Sequence, residues 1–444
     1  MKKDFDVLGR RSLLTAAGVA LIGLAAGPAR AATPVASVAR KPQGCSAPSW
    51  VVAYAMPSSG TNAGYENQTL RVVTKPTFGG ERVRVRISNA LGDRPLTVDG
   101  SAVAVAGSGA EVTGPVSALT FDGQASVTIP AGQTVLSDPA ALTVKAFESL
   151  AVSFYSRAQT GPATGHASVP LLSLPGFQGH MFAADGAHVT DTDGAAYGSR
   201  INEVRFVSGV EVYAPNDGAV VVLGDSITEG AGAFADLPYS ITLARRLQGA
   251  ADHGGPRLAV VNAGIAGNRL LRDGTGPSAL ARLDRDVLQH AGVRHVLMME
   301  GTNDLGLFSL ADEAEPINDL PALVEPPALA EFSAGYEQIR QRVQAAGARL
   351  SLSPITPFGD QFRPGPWSIA PSQVLRRHEI NGWIRASDMY DRRFDFDHTL
   401  LNPLEPNWLA PQYDTGDNVH PNTAGHQQMA NTIDLSLFDQ CRCT

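Results

Sequence analysis

The feature that most constrains the fold of this 444-residue chain is the alternation of strand-like and helix-like segments after residue 217. Apolar runs of strand length stand at residues 219–223, 258–261, 295–299, 349–353 and 393–396, and a segment with helical character follows each. These units predict an α/β domain over residues 217–440, with a five-stranded parallel sheet covered by helices on both faces. Because ligands bind beyond the carboxyl ends of the strands in such sheets, we expect the functional residues directly after the strands.

The first half of the chain has a different rhythm. Residues 82–87 read Arg-Val-Arg-Val-Arg-Ile, and this alternation of polar and apolar side chains is typical of a half-buried strand. Other short β-rich runs lie between residues 49 and 214, separated by Gly, Pro, Asn and Asp. The pattern predicts a β-sandwich, or jelly-roll-like, domain over residues 49–214, which a turn cluster at 214–218 separates from the α/β domain.

The N-terminus has the pattern of an export signal. Basic residues precede an uncharged, Ala/Leu-rich stretch at residues 12–27, which is short for a membrane span and suits a signal-peptide core. Small residues at 29 and 31 predict cleavage after Ala31, and a linker follows over residues 32–48. The pair Arg10-Arg11 favours a twin-arginine signal, with an ordinary secretory signal as the alternative. We therefore expect a periplasmic or extracellular protein.

The cysteines stand at the two ends of the chain that remains after this cleavage. In an oxidising compartment, Cys45 is expected to form a disulfide with Cys441 or Cys443, which would tie the ends together. The spacing of Cys441 and Cys443 does not fit a zinc site. No cysteine lies near the motifs described below, so the sequence predicts no thiol nucleophile.

Charge and histidine spacing exclude several classes of function. The formal net charge of −8 argues against a nucleic-acid partner, because such partners require a basic surface. No stretch after the N-terminal segment resembles a membrane span, so we expect no integral membrane segment once the signal is removed. The ten histidines form no His-Glu-x-x-His or comparable set, so we expect no metal and no other cofactor.

The first two functional motifs follow the first two apolar runs. A Gly-Asp-Ser motif places Ser226 at a strand-to-helix turn, where its Oγ can meet a substrate and its backbone N–H is unpaired. A plain helix cap formed by Asp225 and Ser226 is the structural alternative. The loop 262–268 contains Gly264 and Gly267, whose N–H groups can face a developing oxyanion, and a simple turn is the alternative there.

The other two motifs supply a side-chain donor and a base. Asn303 follows the run at 295–299 in a Gly-Thr-Asn-Asp motif, and its amide is a suitable oxyanion donor. Asp417 and His420 lie just before the last helix, where an aspartate three residues earlier can orient the imidazole. A surface Asp–His pair is the alternative. Together the four motifs supply a nucleophile, oxyanion donors, a base and its orienting carboxylate, which are the groups needed for acyl transfer.

In this combination the chain resembles the SGNH, or GDSL-type, hydrolases. The four motifs occur in the family's order, and the similarity covers about residues 217–440. The resemblance implies a flavodoxin-like, three-layer α/β/α fold and a metal-free serine esterase. The β-rich first half is similar to that of secreted bacterial members with an N-terminal jelly-roll domain.

The resemblance also implies a role for each motif residue. Ser226 attacks the acyl carbonyl, His420 takes and later returns its proton, and Asp417 holds the imidazole. The Ser226 N–H, the Gly267 N–H and the Asn303 side chain bind the oxyanion, with Gly264 as the alternative to Gly267.

Four further residues are weaker candidates for substrate contact. Asp225 and Asp304 flank the motif residues, and Arg269 and Arg272 follow the second motif loop. The alternatives are a helix or segment cap for the aspartates and plain surface charge for the arginines.

Three functions remain open from the sequence. The first is a secreted esterase that removes short acyl groups, such as acetyl, from a polysaccharide or glycoconjugate. The second is a lipase or general carboxylesterase that acts on lipidic esters. The third is a non-catalytic carbohydrate-binding protein, which the complete set of four motifs disfavours.

Overall fold

The computed structural model describes residues 47–166, 179–233, 237–305, 325–360, 369–392 and 394–441. The predicted signal peptide and nearly all of the predicted linker lie outside these residues. So do Cys45, Cys443 and the side chain of Cys441, so the disulfide stays a prediction. Among the described residues, no helix is long and apolar enough to cross a membrane.

Antiparallel strands make up the first half of the chain. They are β1 (Pro48–Ala55), β2 (Gly60–Asn62), β3 (Gln68–Thr74), β4 (Arg82–Ser88), β5 (Leu96–Val98), β6 (Gly100–Ala106), β7 (Val112–Ala118), β8 (Val127–Ile129), β9 (Thr134–Leu136), β10 (Leu150–Ser156), β11 (Ala163–His166), β12 (Gly179–Asp185), β13 (Val204–Arg205) and β14 (Val207–Pro215). Two larger sheets, β1-β14-β4-β9 and β12-β3-β10-β6-β7, contribute side chains to one core, and the smaller sheets β13-β11-β2 and β5-β8 accompany them.

Strand β4 shows why the alternating pattern produces this arrangement. Val83, Val85 and Ile87 are fully buried in the common core, whereas the intervening arginines lie on the opposite face of the strand. Arg84 and Arg86 there form ion pairs with the buried Glu211 of β14. The predicted β-rich first half is therefore confirmed, while its jelly-roll strand order stays a prediction.

The second half alternates strands and helices. Its elements are β15 (Gly218–Gly224), α1 (Ser226–Glu229), α2 (Tyr239–Ala251), β16 (Leu258–Gly264), α3 (Ala279–Leu283), β17 (Val293–Met299), α4 (Leu329–Ala345), β18 (Arg349–Leu352), α5 (Pro371–Ala386), α6 (Phe396–Leu400), β19 (Leu401–Asn402), β20 (Glu405–Leu409) and α7 (Thr423–Thr432). One π-helical turn continues α3 over Asp284–Leu288, and 3-10 turns lie at Asn303–Leu305 and Leu435–Cys441.

The central sheet is parallel and has the order β16-β15-β17-β18. Val220 and Val222 of β15 point to the face on which α2, α6 and α7 pack. Val221 and Leu223 point to the other face, on which α3, α4 and α5 pack. Burial on both faces explains why these strands are continuous apolar runs. The expected three-layer α/β/α arrangement is confirmed.

The predicted fifth strand at 393–396 is wrong, since the described residues form a four-stranded parallel sheet. Of the described residues after β18, Tyr390 continues the sheet, through a single parallel bridge to Leu352. Asp395 then caps α6, because its side chain accepts a hydrogen bond from the backbone N–H of His398. Because of this cap, Phe396 is the first residue of a helix and not part of a strand.

The two halves share one hydrophobic core. The Thr77 hydroxyl donates to the carbonyl oxygen of Val260 at 2.7 Å, and the Gln248 side chain donates to the carbonyl of Thr77 at 2.7 Å. The backbone N–H of Val52 donates to Ala291 O at 3.0 Å. The change from antiparallel to parallel pairing falls between β14 and β15, while the proposed domain limits at 214 and 217 stay a prediction.

We expect Val51→Ala to lower the free energy of unfolding by about 1–3 kcal/mol, because it leaves a cavity in the shared core. Val51 is fully buried, and its Cγ2 packs over Gly292 of the second half. Urea unfolding followed by far-UV circular dichroism and by tryptophan fluorescence should show the same shift in both signals. Leu404→Ala is the control, because Leu404 is 90% exposed and its loss should change stability by less than about 0.5 kcal/mol. Two separate transitions would contradict the shared core.

Candidate active site

The nucleophile turn is a tight junction between β15 and α1. A Cβ at Gly224 would lie 2.3 Å from the carbonyl oxygen of Met299, so only glycine fits there. Asp225 caps α1, because its Oδ1 accepts from the N–H of Ile227 at 3.0 Å. Ser226 follows as the first helical residue, so its own N–H has no intrahelical acceptor. The helix cap and the strand-to-helix turn that the sequence predicts are therefore both present, with Ser226 only 3% exposed.

The structure brings Ser226, His420 and Asp417 into one hydrogen-bonded chain. Ser226 Oγ lies 2.9 Å from His420 Nε2, and His420 Nδ1 lies 2.6 Å from Asp417 Oδ2. A carboxylate only accepts hydrogen bonds, so Nδ1 carries the proton and Nε2 presents a lone pair to the serine hydroxyl. This is the tautomer that a general base needs.

A short loop holds Asp417 and His420 in this position. The Oδ1 of Asp417 accepts from the backbone N–H groups of Val419 and His420 at 2.9 and 2.8 Å. Asn418 adopts a left-handed backbone, with φ of 63°, which asparagine tolerates better than most residues. Asn422 then caps α7 by accepting from the N–H of Gly425 at 3.0 Å.

The charge of Asp417 is stabilised by its surroundings. Burial alone raises the pKa of the Asp417 carboxyl, but hydrogen bonds and the charge interaction with His420 outweigh burial. The pKa falls from 3.8 to about 2, so the carboxylate is ionised at any pH near neutrality. An ionised Asp417 can stabilise the imidazolium that forms when His420 takes a proton.

The second motif loop distinguishes its two glycines. Gly264 ends β16, and its N–H donates to Asn262 Oδ1 at 2.8 Å, so this donor is already used. Gly267 lies in a turn closed by a 3.0 Å bond from Asn268 N to Ile265 O, and its φ of 73° favours glycine. Within the described residues, the N–H of Gly267 has no acceptor. The geometry favours Gly267 over Gly264 as the donor.

Asn303 lies beside this loop. Its Nδ2 donates one hydrogen bond to the carbonyl oxygen of Asn268, at 2.8 Å. A side-chain amide has two N–H donors, so the second remains for a ligand. Asn268 is itself fixed, because its side chain donates to the carbonyls of Thr275 and Pro277 at 3.1 and 2.9 Å.

The sequence analysis did not single out Arg282, whose guanidinium joins the first and the second motif loops by hydrogen bonds. Its guanidinium donates to Gly224 O at 3.0 Å, to Ala263 O at 2.7 Å and to Asn268 Oδ1 at 2.9 Å. Asp286 lies 3.6 Å away as its ion-pair partner. The apolar residues Leu280, Leu283 and Val287 share a helical face that excludes Arg282, so the sequence carried no signal for its burial.

The four weaker candidates differ in their contacts. Asp304 accepts from the N–H groups of Leu270 and Leu271 at 2.7 and 2.9 Å, so its carboxylate holds the backbone just after the second motif loop, and a cap on the segment after residue 305 lies outside the described residues. Burial raises the pKa of Asp304, and likewise that of Asp225, to about 6. Arg272 is 69% exposed beside Glu331, and Arg269 is half-buried. Substrate contact by any of the four stays a prediction.

The second half of the chain is similar to a known protein family. Residues 222–428 match the model of the GDSL-like lipase/acylhydrolase family. No curated protein sequence matches the chain. Among solved structures, a GDSL-like lipase from Bacteroides thetaiotaomicron VPI-5482 is 18% identical, with 50% of this chain and 89% of that chain covered and a TM-score of 0.35.

Two other solved structures show the same degree of similarity. The aryl esterase of M. smegmatis is 14% identical, with 51% of this chain and 100% of that chain covered and a TM-score of 0.35. The acetyl xylan esterase AlAXEase is 19% identical, with 48% of this chain and 97% of that chain covered and a TM-score of 0.34.

We expect Asp417→Asn to remove an acid-sensitive contribution to stability. The folded pKa of about 2 lies below the value of 3.8 for a free aspartate, so the contribution is complete above about pH 4. This stabilisation is lost as the pH falls toward 2, because the protonated Asp417 carboxyl no longer favours the folded over the unfolded state. Urea unfolding at pH 2.5 and pH 5 should therefore show wild type losing up to about 2 kcal/mol more than the variant. Equal losses would contradict the lowered pKa.

Proposed function

We propose a mechanism and a substrate class for a chain whose residues 222–428 form a domain of the GDSL-like lipase/acylhydrolase family. A domain of this family is a carboxylic ester hydrolase. The proposal is that Ser226, His420 and Asp417 hydrolyse short acyl esters, acetyl above all, carried on a carbohydrate. The observation that supports it most directly is the hydrogen-bonded chain of 2.9 and 2.6 Å through these three side chains.

Acylation begins when Ser226 Oγ attacks the carbonyl carbon of the ester. His420 Nε2 accepts the hydroxyl proton as the new C–O bond forms, and Asp417 stabilises the resulting imidazolium. When the tetrahedral intermediate collapses, the bond to the alcohol oxygen breaks, and His420 returns the proton to that oxygen. The alcohol leaves, and the acyl group remains as an ester of Ser226.

Deacylation reverses these roles with water. His420 takes a proton from a water molecule, whose oxygen attacks the carbonyl carbon of the acyl-enzyme. The second tetrahedral intermediate releases Ser226, which recovers the proton from His420. The products are the free acid and the original enzyme.

The negative charge that develops in both intermediates requires donors that are in place beforehand. We assign this role to the N–H of Ser226, the N–H of Gly267 and the side chain of Asn303. Ser226 and Asn303 are 3% and 1% exposed, so the charge develops away from bulk water, where such donors are strongest.

The proposed preference for a short acyl group rests on the side chains next to the motif residues. The buried side chains of the first and third motifs are mostly polar, and include Asp225, Glu300, Thr302 and Asp304. A long acyl chain requires an apolar groove. Among the described residues, the large hydrophobic side chains that are exposed are Leu375 and Leu404. The export that the N-terminal sequence predicts would bring the enzyme, with its added β-rich half, to extracellular carbohydrate, and this expectation motivates the proposed alcohol part.

Hydrolysis of a p-nitrophenyl ester series, from acetate to palmitate, tests the acyl preference. We expect the highest kcat/KM with acetate, and we expect Ser226→Ala to abolish turnover. Acetate release from acetylated oligosaccharides then tests the alcohol part. A preference for long chains would replace this proposal with a lipase. Absence of Ser226-dependent turnover on every ester, with retention on a glycan column, would favour a carbohydrate-binding protein.

Substitutions at the site should differ in size. His420→Ala should lower kcat by about 10⁶-fold, because the nucleophile and base act as one unit, and Asp417→Asn should cost less. Asn303→Ala should lower kcat by about 10²–10³-fold, because it removes one oxyanion donor. Asn89→Ala is the matched control, since Asn89 is a buried asparagine that donates to Arg94 O and Ile129 O in the first half. Near-normal turnover by His420→Ala would overturn the assignment.

A further inference from the structure

The last residue of α1 connects the nucleophile to the second motif loop. Glu229 lies three residues after Ser226, and its Oε2 accepts from the N–H of Ala266 at 2.5 Å. Ala266 immediately precedes Gly267, the proposed oxyanion donor. The backbones are also in close contact, since a Cβ at Gly264 would lie 2.2 Å from Glu229 N. One carboxylate thus joins the helix of the nucleophile to the loop of the oxyanion donor.

The other oxygen of this carboxylate faces a histidine from the β-rich half. His166 ends β11 and is 2% exposed, and its Nε2 lies 3.2 Å from Glu229 Oε1. Its Nδ1 lies 2.8 Å from the carbonyl oxygen of Pro57. Nδ1 faces a carbonyl oxygen, which only accepts, so Nδ1 carries a proton. Nε2 and Oε1 lie at ion-pair distance, and a second proton, on Nε2, makes the two groups a charged pair.

The charges around the pair are consistent with this state. Burial lowers the pKa of His166, but the charge of Glu229 and a hydrogen bond to it raise the pKa above its ordinary value. Arg282 acts in the opposite direction, since its positive charge lowers the pKa of His166. Arg282 is itself paired with Asp286.

Stability alone is a poor explanation for the pair. Removing two charges from water costs several kcal/mol, and the attraction between them offsets this cost only with favourable geometry. What the pair does accomplish is orientation. With Oε1 facing the His166 imidazole at 3.2 Å, Oε2 accepts from the N–H of Ala266, next to the peptide of Gly267.

We propose that His166 and Glu229 are positioning residues that fix the oxyanion loop, and that the β-rich half thereby contributes to the active site of the esterase. This inference rests on the proposed function. In this proposal, His166 and Glu229 act on the loop through Ala266 and Gly267 and do not touch the substrate.

The test compares Glu229→Ala and His166→Phe with Glu229→Gln. Glu229→Ala removes the acceptor for Ala266, and His166→Phe replaces the imidazole with a somewhat larger apolar ring that has no N–H donor. We expect both to lower kcat by about 10–100-fold with KM changed less than threefold, because a misplaced donor weakens transition-state binding. Glu229→Gln should recover most of kcat, since its Oε1 still accepts from Ala266 and its amide can donate to a neutral His166.

A double variant and a matched control isolate the mechanism. If the two residues act as one unit, His166→Phe/Glu229→Ala should lose no more kcat than Glu229→Ala alone. The control is Glu211→Gln, a buried carboxylate of β14 that pairs with Arg84 and Arg86. We expect it to lower the melting temperature and leave kcat unchanged.

The outcomes separate this inference from the proposed function. Turnover by wild type that Ser226→Ala abolishes establishes the esterase whatever the pair does. If the pair variants then lose melting temperature but keep kcat and KM, as the control does, the pair is only structural and the inference is overturned. Equal losses in Glu229→Ala and Glu229→Gln would also overturn it, because the acceptor for Ala266 would then be irrelevant.

Discussion

The active-site region depends on the parallel register of three strands. Gly224 at the end of β15 pairs with Gly264 of β16 on one side and with Met299 of β17 on the other. Three chain segments that are far apart in sequence therefore leave the sheet at the same level. Each is followed directly by one of the first three motif loops. A shift of one strand by one residue would reverse its side chains and move its loop, so the chemistry depends on this pairing.

The backbone groups of these loops are buried, and polar side chains from elsewhere in the chain act as their hydrogen-bond partners in place of water. Arg282 satisfies the carbonyls of Gly224 and Ala263, and Asp304 satisfies the N–H groups that follow the second loop. Buried polar atoms without such partners would each cost about 1–3 kcal/mol. The β-rich half takes part in the same way, because Thr77 binds the β16 backbone and His166 faces Glu229. The loops are held from two sides, by α3 and by the first half.

The sequence predicted the elements whose local pattern and tertiary role agree. The apolar runs at 219–223 and 295–299 became β15 and β17, because a strand buried on both faces requires a continuous apolar segment. The run at 393–396, Arg-Phe-Asp-Phe, alternates charged and aromatic residues, and its described residues do not pair as a strand. There the cap formed by Asp395 outweighed strand propensity, since a local side-chain bond to the backbone competes with a sheet edge. Local patterns alone do not rank such competitors.

The sequence by itself determined the residue types at the carboxyl ends of the strands, the order of the motifs and the alternation that makes the two halves different. These follow from periodicity and from the chemistry of single side chains. Only the tertiary structure decided that the N–H of Gly264 donates to Asn262, that Asp304 accepts from the backbone just after the second loop, and that His166 lies against Glu229. His166 and Glu229 are far apart in the chain, and no local pattern encodes which buried charges will meet. Burial and partner choice are properties of the packed molecule, because the cost of an unpaired buried charge depends on every group around it.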